Sequence, residues 1–152
     1  MEIRHFYILY WFQNEKEAYN RLVRNGVKPS VQRMAIMQYL LDHRTHPTVE
    51  DVYKDLYQKI PTLSRTTVYN TLRLLSENNA AQMITIDEHR VCYDGETKPH
   101  VHFYCKKCKS IMDLESQDMA EFKAETCGHR VDSVQVYYKG VCSECLKKED
   151  ND

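Results

Sequence analysis

Two C-x-x-C pairs, Cys105-x-x-Cys108 and Cys142-x-x-Cys145, constrain this chain more than any other feature. A tight turn aims both sulfurs of such a pair at one ion, and two pairs close a tetrahedral thiolate site with no open position. The pattern predicts a structural zinc that ties together two strand ends separated by 33 residues of chain. Two redox dithiols, or unrelated thiols, are the competing reading. Cys92 and Cys127 have no partner at this spacing and are expected to be small buried side chains. The apolar run Phe6–Phe12 is too short to span a bilayer and has no cleavage site behind it. A reducing cytoplasm is therefore expected, where clustered cysteines mean metal rather than disulfides.

A second donor set overlaps the first pair. His100-x-His102 opens the predicted strand Val101 to Cys105, and on a strand both imidazoles face one side. Asp94 lies six residues earlier, and Asp113 falls on the neighbouring predicted strand, Ser110 to Leu114. Imidazoles with carboxylates and no thiolate suit Fe²⁺ or Mn²⁺. Taken singly, each residue also fits a surface histidine or a turn acid. His46 precedes Pro47, which biases its backbone to extended geometry before a helix start. Solvated loop residue and ligand are both open for it.

The rest of the chain has to supply the scaffold. With 152 residues there is room for one compact domain or two small ones. Net charge is only −1, which by itself argues against a general polyanion binder, but residues 20–80 carry nine Lys+Arg against five Asp+Glu. Helical spacing predicts helices from Glu15 to Asn25, stopped by Gly26, and from Val31, capped by Ser30, with Val31, Met34, Ile36, Met37, Leu40 and Leu41 as its apolar stripe. A third runs from Thr48, with Asp51 completing a capping box, to about Lys59, and a fourth covers Arg65 to Glu77. A hairpin follows, Gln82–Ile86 and Arg90–Tyr93.

Short helices and then a hairpin is the layout of a winged helix-turn-helix over residues 15–94, with the fourth helix as reader. Arg65, Thr66, Tyr69, Asn70 and Arg73 on its exposed face, with Arg24, are the candidate DNA contacts. A merely solvated polar face is the bland alternative. Residues 1–14 form an atypical extension and 95–99 a hinge or linker. Residues 100–152 form a small α/β module with strands Val101–Cys105, Ser110–Leu114 and Asp132–Val141, a helix from about Gln117 to Thr126, and a frayed tail from Lys147.

From Glu15 to its end the chain resembles the ferric uptake regulator (Fur) family of metal-dependent transcriptional repressors. The matching elements, in family order, are Gln32-Arg33, His46-Pro47-Thr48, Ser64-Arg-Thr-Thr-Val-Tyr-Asn-Thr-Leu72, His100-x-His102 and both C-x-x-C pairs. The resemblance implies an α+β fold with a winged-helix DNA-binding domain, a C-terminal dimerisation domain, and a cytoplasmic homodimer on AT-rich inverted repeats. It also implies structural Zn²⁺ on Cys105, Cys108, Cys142 and Cys145, and regulatory Fe²⁺ or Mn²⁺ on His46, Asp94, His100, His102 and Asp113. Asp113, the spacing of Asp94 and Tyr69-Asn70 make the peroxide-sensing branch the nearest match, with His46 and His100 as oxidation targets. Two other readings stand beside it: an iron-uptake repressor sensing Fe²⁺ occupancy alone, and a metalloenzyme with a three-His, two-carboxylate centre. The enzyme reading lacks a second constellation for substrate and leaves the reader helix unexplained.

Overall fold

The computed structural model describes residues 16–114 and 125–150. The predicted extension over 1–14, and the part of the predicted helix over 117–124, lie outside the described residues. The chain forms two compact units, Met1–Thr97 and Lys98–Asp152.

The first unit is built on helices. Helix α1 (residues 16–24) buries Ala18 and Leu22, one turn apart, and ends at Gly26. Gly26 takes φ +71°, Val27 N bonds back to Leu22 O at 2.9 Å and Gly26 N to Val23 O at 3.0 Å. That is a Schellman stop, and buried Val27 supplies its apolar contact. Helix α2 (Val31–Asp42) starts at Ser30, whose Oγ accepts from Arg33 N, and buries Ile36, Met37, Tyr39 and Leu40. Val31 corrects the predicted stripe: it sits in the first turn, 79% exposed. Helix α3 (Val49–Tyr57) buries Val52 and Leu56 and ends two residues short of Lys59. Helix α4 (Arg65–Glu77) has the predicted bounds, because Ser64 Oγ accepts from Thr67 N at 3.0 Å while Val68, Leu72 and Leu75 bury completely. Strands β1 (Gln82–Ile84) and β2 (Cys92–Asp94) then pair antiparallel, Met83 opposite Tyr93. The ladder is shorter than predicted because Asp87 folds the tip back, accepting from His89 N at 3.0 Å and Arg90 Nε at 2.9 Å.

The start of α3 carries a testable energetic feature. Thr48 Oγ1 accepts from Asp51 N at 3.2 Å, while the Asp51 carboxylate accepts from Thr48 N at 2.9 Å and from Thr48 Oγ1 at 2.7 Å. Thr48→Ala should cost about 1 kcal/mol in urea unfolding. Asp51 is held below the usual carboxylate range, first by the Thr48 hydroxyl and then by its backbone N–H. A depressed folded value gives stability that is present above the unfolded pKa and lost as pH falls through the folded one. The difference between variant and wild type should therefore shrink below about pH 4. A difference unchanged by acid would show that the carboxylate contributes nothing.

The second unit is a small sheet with a thiol cluster at one end. Strand β3 (Val101–Cys105) lies between β4 (Ile111–Leu114), antiparallel, and β7 (Val136–Gly140), parallel. Residues 132–135 are not in the strand, so the third predicted strand is trimmed to its second half. Glu125–Thr126 form β5 rather than a helix end, pairing with β6 (His129–Arg130). Cys127 is exposed at φ +51° in the connecting turn, next to Gly128 at φ +78°, and so is not the buried side chain predicted for it. Nor is the C-terminus frayed from Lys147: helix α5 (Ser143–Glu149) continues, and Lys107 Nζ bonds Glu149 Oε1 at 2.7 Å. Among the described residues no helix is long and apolar enough to cross a membrane.

Candidate functional site

Cys105 ends β3, and Cys142 directly precedes α5. The pairing of β3 with β7 sets Cys105 opposite Gly140, two residues before Cys142, which brings the two C-x-x-C turns together. All four sulfurs lie within 4.8 Å of one another, with Cys105 Sγ 3.9 Å from Cys145 Sγ and Cys108 Sγ 3.8 Å from Cys142 Sγ. A tetrahedral ion with Zn–S bonds of about 2.3 Å requires sulfur separations of about 3.8 Å. All four sulfurs converge at that spacing, which one shared ion requires and two independent dithiols do not.

The backbone prepares this cluster for negative charge. Cys105 Sγ accepts N–H bonds from Cys108 at 3.5 Å and from Cys142 at 3.3 Å, which pull its thiol down to about 6. Lys109, at φ +63°, closes the first turn through its N–H to Cys105 O at 2.9 Å. Ser110 Oγ lies 3.0 Å from Cys108 Sγ and lowers that thiol as well. Cys145 is pushed up to about 12, first by its hydrogen bond with Cys142 and then by burial. Zinc binding here must therefore expel protons. Ser110 was not among the sequence candidates; its position two residues after Cys108 was the available signal.

The five predicted oxygen and nitrogen donors divide between the units. In the second, His102 faces Asp113 across the β3–β4 ladder. His100 Nε2 and His102 Nε2 are 2.9 Å apart, and Asp113 Oδ1 lies 3.2 Å from the first and 3.4 Å from the second. His100 Nδ1 is 2.8 Å from Lys98 O. A carbonyl only accepts, so Nδ1 carries the proton and Nε2 keeps its lone pair for a ligand. These spacings fit a divalent ion held by imidazole and carboxylate.

In the first unit, His46 and Asp94 are both buried, with His46 Nε2 3.5 Å from Asp94 Oδ2. His46 departs from the predicted extended backbone and takes φ +52°. Pro47 O accepts from Tyr93 N at 2.9 Å, which moors the loop beside β2 and sets His46 next to Asp94. The solvated loop reading for His46 is thereby excluded.

Thr66, Tyr69, Asn70 and Arg73 are exposed along one face of α4, at i, i+3, i+4 and i+7, and Arg65 is exposed at its start. Lys28, Arg33, Thr67 and Asn70 line a groove of about 390 Å³ between the start of α2 and α4. Arg24 is exposed on α1, 3.1 Å from Glu17 Oε1. Arg73 Nε donates to Glu77 Oε1 at 2.7 Å. Arg65 is gripped by Glu50 and Tyr53 of α3, neither of which stood among the sequence candidates.

The ferric uptake regulator family profile matches residues 24–139. The peroxide operon regulator of Bacillus subtilis (strain 168) is 36% identical over 139 residues, covering 90% of this chain and 96% of that protein. The peroxide-responsive repressor PerR of Staphylococcus epidermidis is 32% identical over 140 residues, covering 90% of this chain and 92% of that protein. Among solved structures, the Helicobacter pylori ferric uptake regulator Fur superposes with a TM-score of 0.67 at 20% identity, over 87% of this chain and 93% of that one, a likeness of fold. With a winged helical unit, a thiolate cluster of zinc dimensions and the family profile over most of its length, this chain belongs to the ferric uptake regulator family and is a metal-dependent, DNA-binding transcriptional regulator rather than an enzyme.

Proposed function

We propose that this chain is a peroxide-sensing repressor that binds an AT-rich inverted-repeat operator as a cytoplasmic homodimer. In this reading Cys105, Cys108, Cys142 and Cys145 hold a structural Zn²⁺. His46 and Asp94 from the first unit, with His100, His102 and Asp113 from the second, hold one regulatory Fe²⁺ or Mn²⁺. The observation that carries it is that each unit supplies only part of an N/O donor set, two groups in one and three in the other. The chain itself joins the two parts: Asp94 and His100 flank residues 95–99, so they are within about 20 Å even when that segment is fully extended.

Completing the ligand set from both units restricts how far the reading helix moves relative to the dimerisation unit, so metal and DNA occupancy are coupled reciprocally. A coupling of typically about 1–3 kcal/mol changes DNA occupancy some 5- to 150-fold, which suffices for repression and release. Arg24, Arg65, Thr66, Tyr69, Asn70 and Arg73 supply the DNA contacts. When bound, Fe²⁺ supplies the redox chemistry that activates hydrogen peroxide; Mn²⁺ does not. The net change on the protein is insertion of one oxygen into an imidazole C–H of His46 or His100, with peroxide reduced to water. Loss of either donor breaks the shared ligand set.

The reading is tested by operator binding with Fe²⁺ and with Mn²⁺, each with and without low H₂O₂, followed by peptide mass measurement. Release in the iron sample alone, with one added oxygen on a peptide containing His46 or His100, is expected. Iron-dependent binding indifferent to peroxide would replace it with the occupancy-sensing reading.

A further inference from the structure

Arg65 is the first residue of α4, and two side chains of a different helix fix its guanidinium. Its Nε donates to Glu50 Oε2 at 2.8 Å and its Nη2 to Glu50 Oε1 at 3.0 Å, a fork that sets the guanidinium coplanar with the carboxylate. The same group lies over the Tyr53 ring, its carbon 4.2 Å from the centroid. Glu50 and Tyr53 are three residues apart on one face of α3, which packs against α4. An arginine at an exposed helix start ordinarily samples many rotamers. Here a carboxylate fixes its plane and an aromatic ring fixes its face.

The hydrogen-bond inventory shows what remains. Of five N–H groups, Glu50 takes one from Nε and one from Nη2. Among the described residues no further hydrogen bond falls on the outer Nη1–Nη2 edge, which presents two parallel donors. Two acceptors in a DNA duplex match such an edge: a phosphate, and the O6/N7 pair of guanine. Charge separates them. Glu50 is held below the usual carboxylate range, first by its bond from Arg65, and so stays ionised at neutral pH. A phosphate approaching Arg65 meets that carboxylate as well, and an arginine already neutralised releases no counterion. Guanine offers two neutral acceptors, for which a pre-oriented fork is worth most. The first residues of a reading helix are also those that reach base edges.

We propose that Arg65 is a base-reading residue, presented by the positioning residues Glu50 and Tyr53 to the major-groove edge of a guanine in the operator. The inference rests on the DNA-binding reading above and gives it a specificity determinant. Arg73 and Arg24 also meet carboxylates, but each meets one on its own helix, so neither is held by a second element as Arg65 is.

The test uses the full-length, Mn²⁺-loaded protein. Wild type is first used to select a consensus site from a randomised duplex library. Affinity for that site and for each single base-pair variant is then measured across a salt series for wild type, Arg65→Ala and Glu50→Gln. Wild type should lose roughly 10- to 100-fold at one G·C pair per half-site. Arg65→Ala should lose that discrimination. Glu50→Gln keeps size and the arginine but frees an uncompensated positive charge. It should discriminate less, bind non-cognate duplex more tightly, and steepen the salt slope by about 0.9. A merely structural role for Glu50 would not strengthen non-cognate binding. Arg65→Ala weakening all sequences alike, with the preference for that G·C pair intact, would make Arg65 a phosphate contact and overturn the proposal. So would a consensus containing no G·C pair on which wild type and Arg65→Ala differ. If wild type selects no sequence at all, the DNA-binding reading itself fails, a result distinct from either.

Discussion

Cys105→Ser should abolish stoichiometric zinc and unfold the second unit, while the first unit keeps its own melting transition. The reason lies in what that unit has for a core. Cys105, Cys142 and Cys145 are themselves the buried residues of its thiol-end cluster, packed by Phe103, Met112 and Val141. Elsewhere in the unit, Val101, Tyr104 and His102 bury to a similar degree among the described residues. So little apolar area cannot offset the backbone entropy of ordering the segment. A structural zinc site contributes about 10–16 kcal/mol of apparent binding free energy at neutral pH, and a hydroxyl in place of Sγ forfeits most of it. Cys105 is the severest choice because its sulfur also accepts the N–H groups of Cys108 and Cys142. Elemental analysis and amide exchange over residues 98–150 measure the outcome. One zinc per chain with unchanged protection would mean that the cluster is not the structural site. The same logic gives a pH direction: zinc requires thiolates, and the bond with Cys142 and burial push Cys145 up to about 12, so affinity should fall as pH drops.

The sequence was most legible where causes are local. Helix α4 could be bounded from Ser64 and the Val68, Leu72, Leu75 spacing, because cap and stripe lie within the segment they define. The α3 capping box was legible for the same reason, even with Asp51 in place of the usual Glu or Gln. Errors came where a partner from elsewhere in the chain decides. The rule for a residue before proline gives His46 an extended backbone; the bond between Pro47 O and Tyr93 N, 46 positions away, holds it at φ +52° instead. Cysteine's average preference for burial misleads at Cys127, where a two-residue hairpin turn exposes the side chain. The charged C-terminus looked frayed, yet Cys142 and Cys145 anchor one turn of α5 and the Lys107–Glu149 pair fastens its end. Among candidate site residues, the cysteines converge because a parallel β3–β7 pairing sets their turns side by side, which spacing alone suggests. The grip of Glu50 and Tyr53 on Arg65 was not legible. It depends on how α3 crosses α4, and no pattern within either helix encodes that.

Gly95→Ala should destabilise the first unit by about 2–3 kcal/mol, a larger effect than Gly26→Ala, although only Gly26 has a positive φ. A Cβ on Gly26 meets open space, so its cost is that of holding alanine in the left-handed region, about 1–2 kcal/mol. A Cβ on Gly95 would lie 2.7 Å from Leu40 O and 2.9 Å from Leu40 C. These are backbone atoms near the end of α2, in a helix whose Leu40 side chain is itself buried, so no flexible group can give way. The strand end has to move instead. Arg21 Nη1 donates to Gly95 O at 2.7 Å and to Ala80 O at 3.2 Å, tying this point to α1 and to the end of α4. Displacement therefore strains three elements at once. Asp94 is the adjacent residue, buried, with its Oδ1 accepting from Glu96 N at 2.8 Å across the glycine. Moving Gly95 moves that carboxylate away from His46 Nε2, now 3.5 Å from Asp94 Oδ2. Two losses should thus appear together: a melting temperature lower by about 10 °C or more for a unit of this size, and weaker Mn²⁺ binding in calorimetry at a temperature where the variant is still folded. Gly26→Ala should lower the melting temperature less and leave Mn²⁺ affinity at the wild-type value. If Gly95→Ala melts like Gly26→Ala and binds Mn²⁺ like wild type, the close approach to Leu40 does not hold Asp94 in place.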